Sequence, residues 1–217
     1  MFHCVTEHLI TASEAGLKFQ ILFPLFLSAL LLSVPKVALA QWTAVEKIDA
    51  YAIAGKSGAS LYASIGERGP QLGGRVRTIA HTNFKLTWTR KYERQADNAC
   101  KLVVARPKLI ITYTLPKPSE RLPEDVSKSW DVFITGVKNH ELVHGQMIKD
   151  MVQAIEASTL GLSVPEDPGC QKIRSEMQTR LSALSMQQRQ KSRDFDRDEM
   201  SGGGNIQQLI LKLVNGP

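Results

Sequence analysis

Residues 138–150 read KNHELVHGQMIKD; His140 and His144 stand four apart, with Glu141 beside the first. On a helix, positions i and i+4 share a face, so the two imidazoles project together. That spacing lets two ring nitrogens reach one tetrahedral ion at about 2.0–2.1 Å each. Glu141 points about 100° further round the helix, where a carboxylate reaches a water on the ion without ligating it. This is the H-E-x-x-H pattern of metal-assisted peptide hydrolysis, in which the carboxylate takes the water's proton. The pattern makes Zn2+ the expected cofactor, Glu141 the expected general base, and a protein or peptide the expected substrate.

Two histidines can share an ion only if a helix presents them together. Trp130, Phe133, Val137, His144, Ile148, Met151 and Ile155 recur every three or four residues and predict one apolar stripe along a long helix. His140 and His144 are placed by this reading on the core-facing side. Buried neutral imidazoles need partners, and a metal supplies them. Residues 41–217 contain three histidines, and two of them form the motif.

The helix is expected to stop near TLGLSVPEDPGC, and a second one to run over Gln171–Asp198 with Ile173, Met177, Leu181 and Leu184 inward. SGGG ends it, and an apolar tail, IQQLILKLV, follows. Ahead of the helices, Trp42–Thr114 has short apolar spacing, clearest in the alternation of Phe84, Leu86 and Trp88 with Lys85, Thr87 and Thr89. A short helix is expected at Ala59–Ile65, and the Pro-rich segment Pro116–Asp125 reads as a link. The expected fold is α+β: one zincin-like domain over 41–217. In it an N-terminal antiparallel sheet of three to four strands (41–115) packs on a C-terminal helical hairpin (126–200).

A third ligand is required, and several residues compete for the role. Asp150 lies six residues after His144, but the extended motif using that interval needs a helix-breaking Gly where this chain has Met147. Glu156 is roughly 18 Å beyond His144 along the helix, too far to share an ion. If the helices pack antiparallel about a turn near Glu166, the region opposite His140 falls near residue 192. Asp194, Asp196 and Asp198 then come close, and His81 remains as a candidate from the strands.

Phe19–Val34 is a nearly charge-free apolar run preceded by Lys18, and Ala38 and Ala40 stand where signal peptidase needs small residues. Residues 1–40 therefore read as a signal peptide cleaved before Gln41, placing the protein in the periplasm or outside the cell, with no stable membrane insertion after cleavage. The net charge is +6, and removing two lysines and two glutamates with residues 1–40 leaves it unchanged. The basic residues are scattered along the chain. Weak attraction to an anionic cell envelope is permitted; no interleaving of basic and aromatic residues points to nucleic acid. Cys4 precedes the cleavage point, and Cys100 and Cys170 are expected to form a disulfide worth roughly 4 kcal/mol by loop closure; the alternative is two separate buried thiols.

The stretch YAIAGKSGASLYASIGERGP, then TNFKLTWTRKY with Cys100 soon after, the β-rich run to LP, Trp130 with Phe133, and HELVH together carry a family likeness. From about Tyr51 to Gly203 the chain resembles a family of predicted secreted bacterial zinc-dependent proteases classed as a domain of unknown function. Members tend to have a Tyr-Asp stretch followed by Thr-x-His-Gly. Here it reads DFDRDEMSGGG, keeping Asp196 and Gly202 but with Phe195 for Tyr, Glu199 for Thr and Ser201 for His. The resemblance implies an exported zinc metallopeptidase with Asp196 as the preferred third ligand. The altered C-terminal motif leaves a runner-up, a non-catalytic cell-envelope binding module retaining the HExxH helix.

Overall fold

β-Branched and aromatic residues crowd positions 81–118, and this stretch forms the two longest strands of the protein. The computed structural model describes residues 42–74 and 76–216; the expected signal peptide and its cleavage site lie outside them. In chain order the elements are β1 (Val45–Ile53), α1 (Gly58–Arg68), β2 (Gln71–Leu72), β3 (Val76–Arg77), β4 (His81–Arg94) and β5 (Cys100–Pro118). After them come α2 (Glu124–Thr159), β6 (Ser163–Val164), α3 (Lys172–Met200) and α4 (Asn205–Val214). The fold is α+β, as expected.

β5 is the centre of the main sheet, with β1 on one side, β4 on the other and the short β6 at its start. β4 and β5 form an antiparallel hairpin from His81↔Thr114 to Arg94↔Cys100, with one irregularity at Lys91/Tyr92. β1, however, runs parallel to β5, Val45 opposite Ile110 through Ile53 opposite Pro118. This corrects the fully antiparallel sheet expected above. Alternation reports which face a side chain takes, not strand direction. Because β4 turns directly into β5 and occupies one edge, β1 takes the other edge in the opposite sense to β4. Pro116 and Pro118, read above as the start of a link, belong to β5. They lie past the β4 pairing, where the strand has become an edge and a missing N–H costs no ladder bond.

The inner face of β5, with Leu109, Ile111, Tyr113 and Leu115, packs against α2. α2 runs for 36 residues, with Glu124 and Asp125 in a first turn that favours negative charge. Its length is about 54 Å. Its buried line passes through Val126, Trp130, Phe133, Val137, Glu141 and His144 and continues to Thr159. α1 extends past the expected Ala59–Ile65, capped by a reciprocal Ser57–Ser60 box. The apolar tail folds as α4 and buries Ile206, Leu209 and Leu213.

Cys100 and Cys170 form the expected disulfide, with Cα atoms 5.3 Å apart and a separation of 70 positions in sequence. It ties the first residue of β5 to the turn before α3. Asp167 completes that turn by accepting from the amides of Gln171 and Ile173 at 2.8 and 2.9 Å. At the α2 end, Leu102 of β5 accepts from the Gly161 amide and donates to the Leu162 carbonyl, each at 2.9 Å. With both ends of the α2–α3 connection anchored, the register between the two helices is set, and so is what faces His140 and His144. No helix among the described residues is long and apolar enough to cross a membrane.

Candidate metal centre

His140 and His144 project from the middle of α2 toward α3, which runs back antiparallel. The α3 residues that face them are Ser192, Phe195, Asp196 and Glu199, a spacing of three and four that marks one helix face. Asp196 Oδ1 lies 3.1 Å from His140 Nε2 and 2.8 Å from His144 Nε2, and the two Nε2 atoms are 3.1 Å apart. Phe195 stacks on the His140 ring at 4.7 Å and meets His144 edge-on at 5.4 Å. Ser192 Oγ is 2.8 Å from His144 Nδ1. Glu199 Oε2 approaches His140 Nδ1 to 3.7 Å, leaving that buried nitrogen without a hydrogen-bond partner.

The donor set fits a divalent metal. With the His144 Nδ1 proton given to Ser192, its Nε2 offers a lone pair to the point where His140 and Asp196 converge. If both Nε2 atoms instead carried protons toward Asp196, two N–H groups would face each other at 3.1 Å. One cation satisfies all three atoms. A tetrahedral ion with bonds of 2.0–2.1 Å spaces its ligands by about 3.3 Å, close to the triangle found. Among the described residues, His140, His144 and Asp196 form the group able to hold such an ion.

The charges agree with this placement. Burial pushes Asp196 up, but the hydrogen bonds to His140 and His144 outweigh it and hold its carboxyl well below the usual range. Burial pushes His140 down, while Asp196 and the negative charges of Glu141 and Glu199 raise it above its ordinary value.

Glu141, rather than His140, lies on the fully buried line of α2 at 5 % exposure, and it accepts a hydrogen bond from Thr82 Oγ1 on β4 at 2.5 Å. Next to it Tyr113, on β5, is pushed up to about 12 by burial and by the carboxylates of Glu46 and Glu141. Its buried hydroxyl has no hydrogen-bond partner. This ring sits against α2 at Gly145, where a Cβ would stand 2.0 Å from the Tyr113 hydroxyl. Glycine is required there by the close approach of β5, not by its backbone angles.

The other acids go elsewhere. Asp194 pairs with Arg197 at 2.8 Å, and Asp198 is exposed near the same guanidinium. Asp150 accepts from Gln146 on the outside of α2. Glu156 is buried at the far end and accepts from Trp42 Nε1 at 2.9 Å. His81 lines the cleft above the site without joining the cluster. Thr82, Tyr113, Gly145 and Ser192 were not singled out from sequence. Only Ser192 had a readable signal, since antiparallel packing about Glu166 puts position 192 opposite the motif.

A cleft of about 560 Å³ opens over these groups. Leu72 and Val76 of the β2–β3 hairpin, Phe84 of β4 and Met200 of α3 line it, and all four remain exposed. The hairpin reverses through Gly73 and Gly74 at φ 60° and 79°.

The family model described as "Bacterial protein of unknown function (DUF922)" matches residues 48–204, more than two thirds of the chain. The chain belongs to this family. The DUF922 match takes in both histidines, Glu141 and the whole of α3, and it ends at the residue before α4. No curated relative and no solved structure matches this DUF922 chain.

Proposed function

We propose that this DUF922 protein is an exported zinc-dependent metallopeptidase. The observation that carries the reading is the convergence of His140, His144 and Asp196 within 3.1 Å of one another on the floor of a cleft that Glu141 also lines. Zinc bound there supplies Lewis-acid activation of water and of a substrate carbonyl.

The protein's own groups do the rest. Ser192 Oγ accepts from the His144 Nδ1–H in the tautomer whose Nε2 is free to ligate, and Phe195 packs against both rings. Glu141 accepts the proton of the attacking water and returns it to the leaving nitrogen, with Thr82 orienting its carboxylate. The apolar rim of Leu72, Val76, Phe84 and Met200 favours peptides carrying a bulky apolar side chain beside the cleaved bond. The disulfide supports export, since such bonds persist in oxidising compartments.

The test is zinc content and peptide hydrolysis in the metal-loaded protein and in Glu141→Gln. The expected result is zinc retained in both, with hydrolysis about a hundredfold or more lower in the variant. Zinc without Glu141-dependent hydrolysis reduces the protein to a binding module. Failure to hold zinc refutes the metal centre itself.

A further inference from the structure

Charges that look scattered along the chain are gathered by the sheet. The helices pack on its inner face, and the outer face is left open except at its Tyr51–Pro116 end. By register that face carries Lys47 opposite Thr112, Lys85 opposite Ile110, Lys108 opposite Thr87 and Arg106 opposite Thr89. All four cations are exposed, and among the described residues none has an acidic partner within 4.0 Å. Lys91 and Lys101 continue the patch on either side of Glu93, which Lys91 binds at 2.6 Å. Asp49 is the other acid on this face.

Like charges on neighbouring strand positions destabilise a sheet. Lys85 and Lys108 are diagonal neighbours, and Arg106 and Lys108 stand two residues apart on one strand, so the face holds unrelieved repulsion. An external anion relieves it. We propose that the outer face of the β1–β5–β4 sheet is a docking surface for an anionic lipid bilayer.

Shape and composition select this partner over a threaded polyanion. The cations spread over three strands and about 33 Å of strand length, a broad field rather than a single line of charge. Between Lys85 and Lys101 the face bears threonine and aliphatic residues but no aromatic ring, so it gives nucleotide bases no platform for stacking. Such a surface meets headgroups by charge alone, without inserting into the bilayer. The inference is independent of the metal centre.

The test is flotation of the full chain with vesicles of 30 % phosphatidylglycerol in phosphatidylcholine, and with phosphatidylcholine alone. Binding that persists on the neutral vesicles measures the apolar run of residues 19–34 and is subtracted. Each cation near an anionic surface contributes about fivefold to partitioning. Lys85→Gln with Arg106→Gln and Lys108→Gln is therefore expected to lower binding by about a hundredfold. The same charge change on the helices, Lys172→Gln with Arg189→Gln and Lys212→Gln, is expected to lower it by less than about fivefold. Raising NaCl from 50 to 500 mM should release the wild type. Single Lys85→Gln and Lys108→Gln variants, each expected to cost about fivefold, serve if the triple variant loses its native melting profile. Equal losses from both triples overturn the proposal, as does binding to soluble polyphosphate with none to the anionic vesicles.

Discussion

Ser192→Ala isolates what holds the centre together. Ser192 Oγ lies 2.8 Å from His144 Nδ1, and with the proton there the opposite nitrogen points its lone pair at Asp196 and His140. Removing the hydroxyl frees the ring to move its proton to Nε2, the form that cannot ligate. Losing such a supporting hydrogen bond costs about 10–100-fold in metal affinity. That is about 1.4–2.7 kcal/mol. At fixed, saturating zinc the same amount is lost from the metal-linked stability. For a domain of this size it lowers the Tm by about 3–11 °C. The metal-free protein loses only the hydrogen bond itself, about 1 kcal/mol. Differential scanning fluorimetry with zinc and with a chelator separates the two, and chelator competition gives the affinity directly. Ser192→Thr, which keeps the hydroxyl, is expected to restore binding. A Tm drop equal in the zinc-loaded and zinc-free forms would refute the tautomer argument, as would a zinc affinity within about twofold of wild type.

The pH dependence has a definite sign. In the metal-free protein His140 titrates above its ordinary value of 6.5. Its contribution to stability is therefore full below that pH and is lost as the pH rises through the folded value. Zinc requires the unprotonated ring. The Tm gap between zinc-loaded and chelated protein should thus widen from pH 6 to pH 8, and a constant gap would contradict the site. Gly145→Ala gains about 1 kcal/mol in helix propensity but overpacks against Tyr113 at a cost of about 1–3 kcal/mol. A net loss is expected in urea melts. Tyr113→Phe should restore only part of it, because the ring carbons still lie 2.9 and 3.0 Å from the new Cβ; a fully stable single variant would discount the contact. On the cleft rim, Leu72→Asp and Val76→Asp should lower kcat/KM most for peptides with bulky apolar residues, and equal loss for acidic peptides would remove the rim from substrate choice.

How far the sequence could be read depended on the range of the interaction involved. α2 was legible because its stripe from Trp130 to Ile155 is a local pattern, and α3 because Ile173 and Met177 repeat it. HELVH was legible for the same reason, since two histidines one turn apart need only a helix to share a face. The direction of β1 was not legible: alternation is identical in parallel and antiparallel pairs. Gly145 looked like the unremarkable residue after the motif, and its role appears only when Tyr113 arrives from a strand 32 positions earlier in the sequence.

The acid that meets the two histidines is the instructive case. Asp194, Asp196 and Asp198 lie within one turn of one helix and have the same chemistry, so composition cannot choose among them. The choice is made by the rotation of α3 against α2, which the Asp167 turn and the Cys100–Cys170 bond set from about 30 residues away. Rotation brings the line of Ser192, Asp196 and Glu199 to face the histidines, while Asp194 and Asp198 turn out to Arg197. Asp167 and Cys170 are therefore part of the positioning of the site even though neither comes near it. The same reasoning explains the basic face: Lys85 and Lys108 are 23 residues apart in the chain, and only the β4–β5 register makes them neighbours. Any chain in which register between elements decides which side chains meet will show its elements to a sequence reading before it shows its sites.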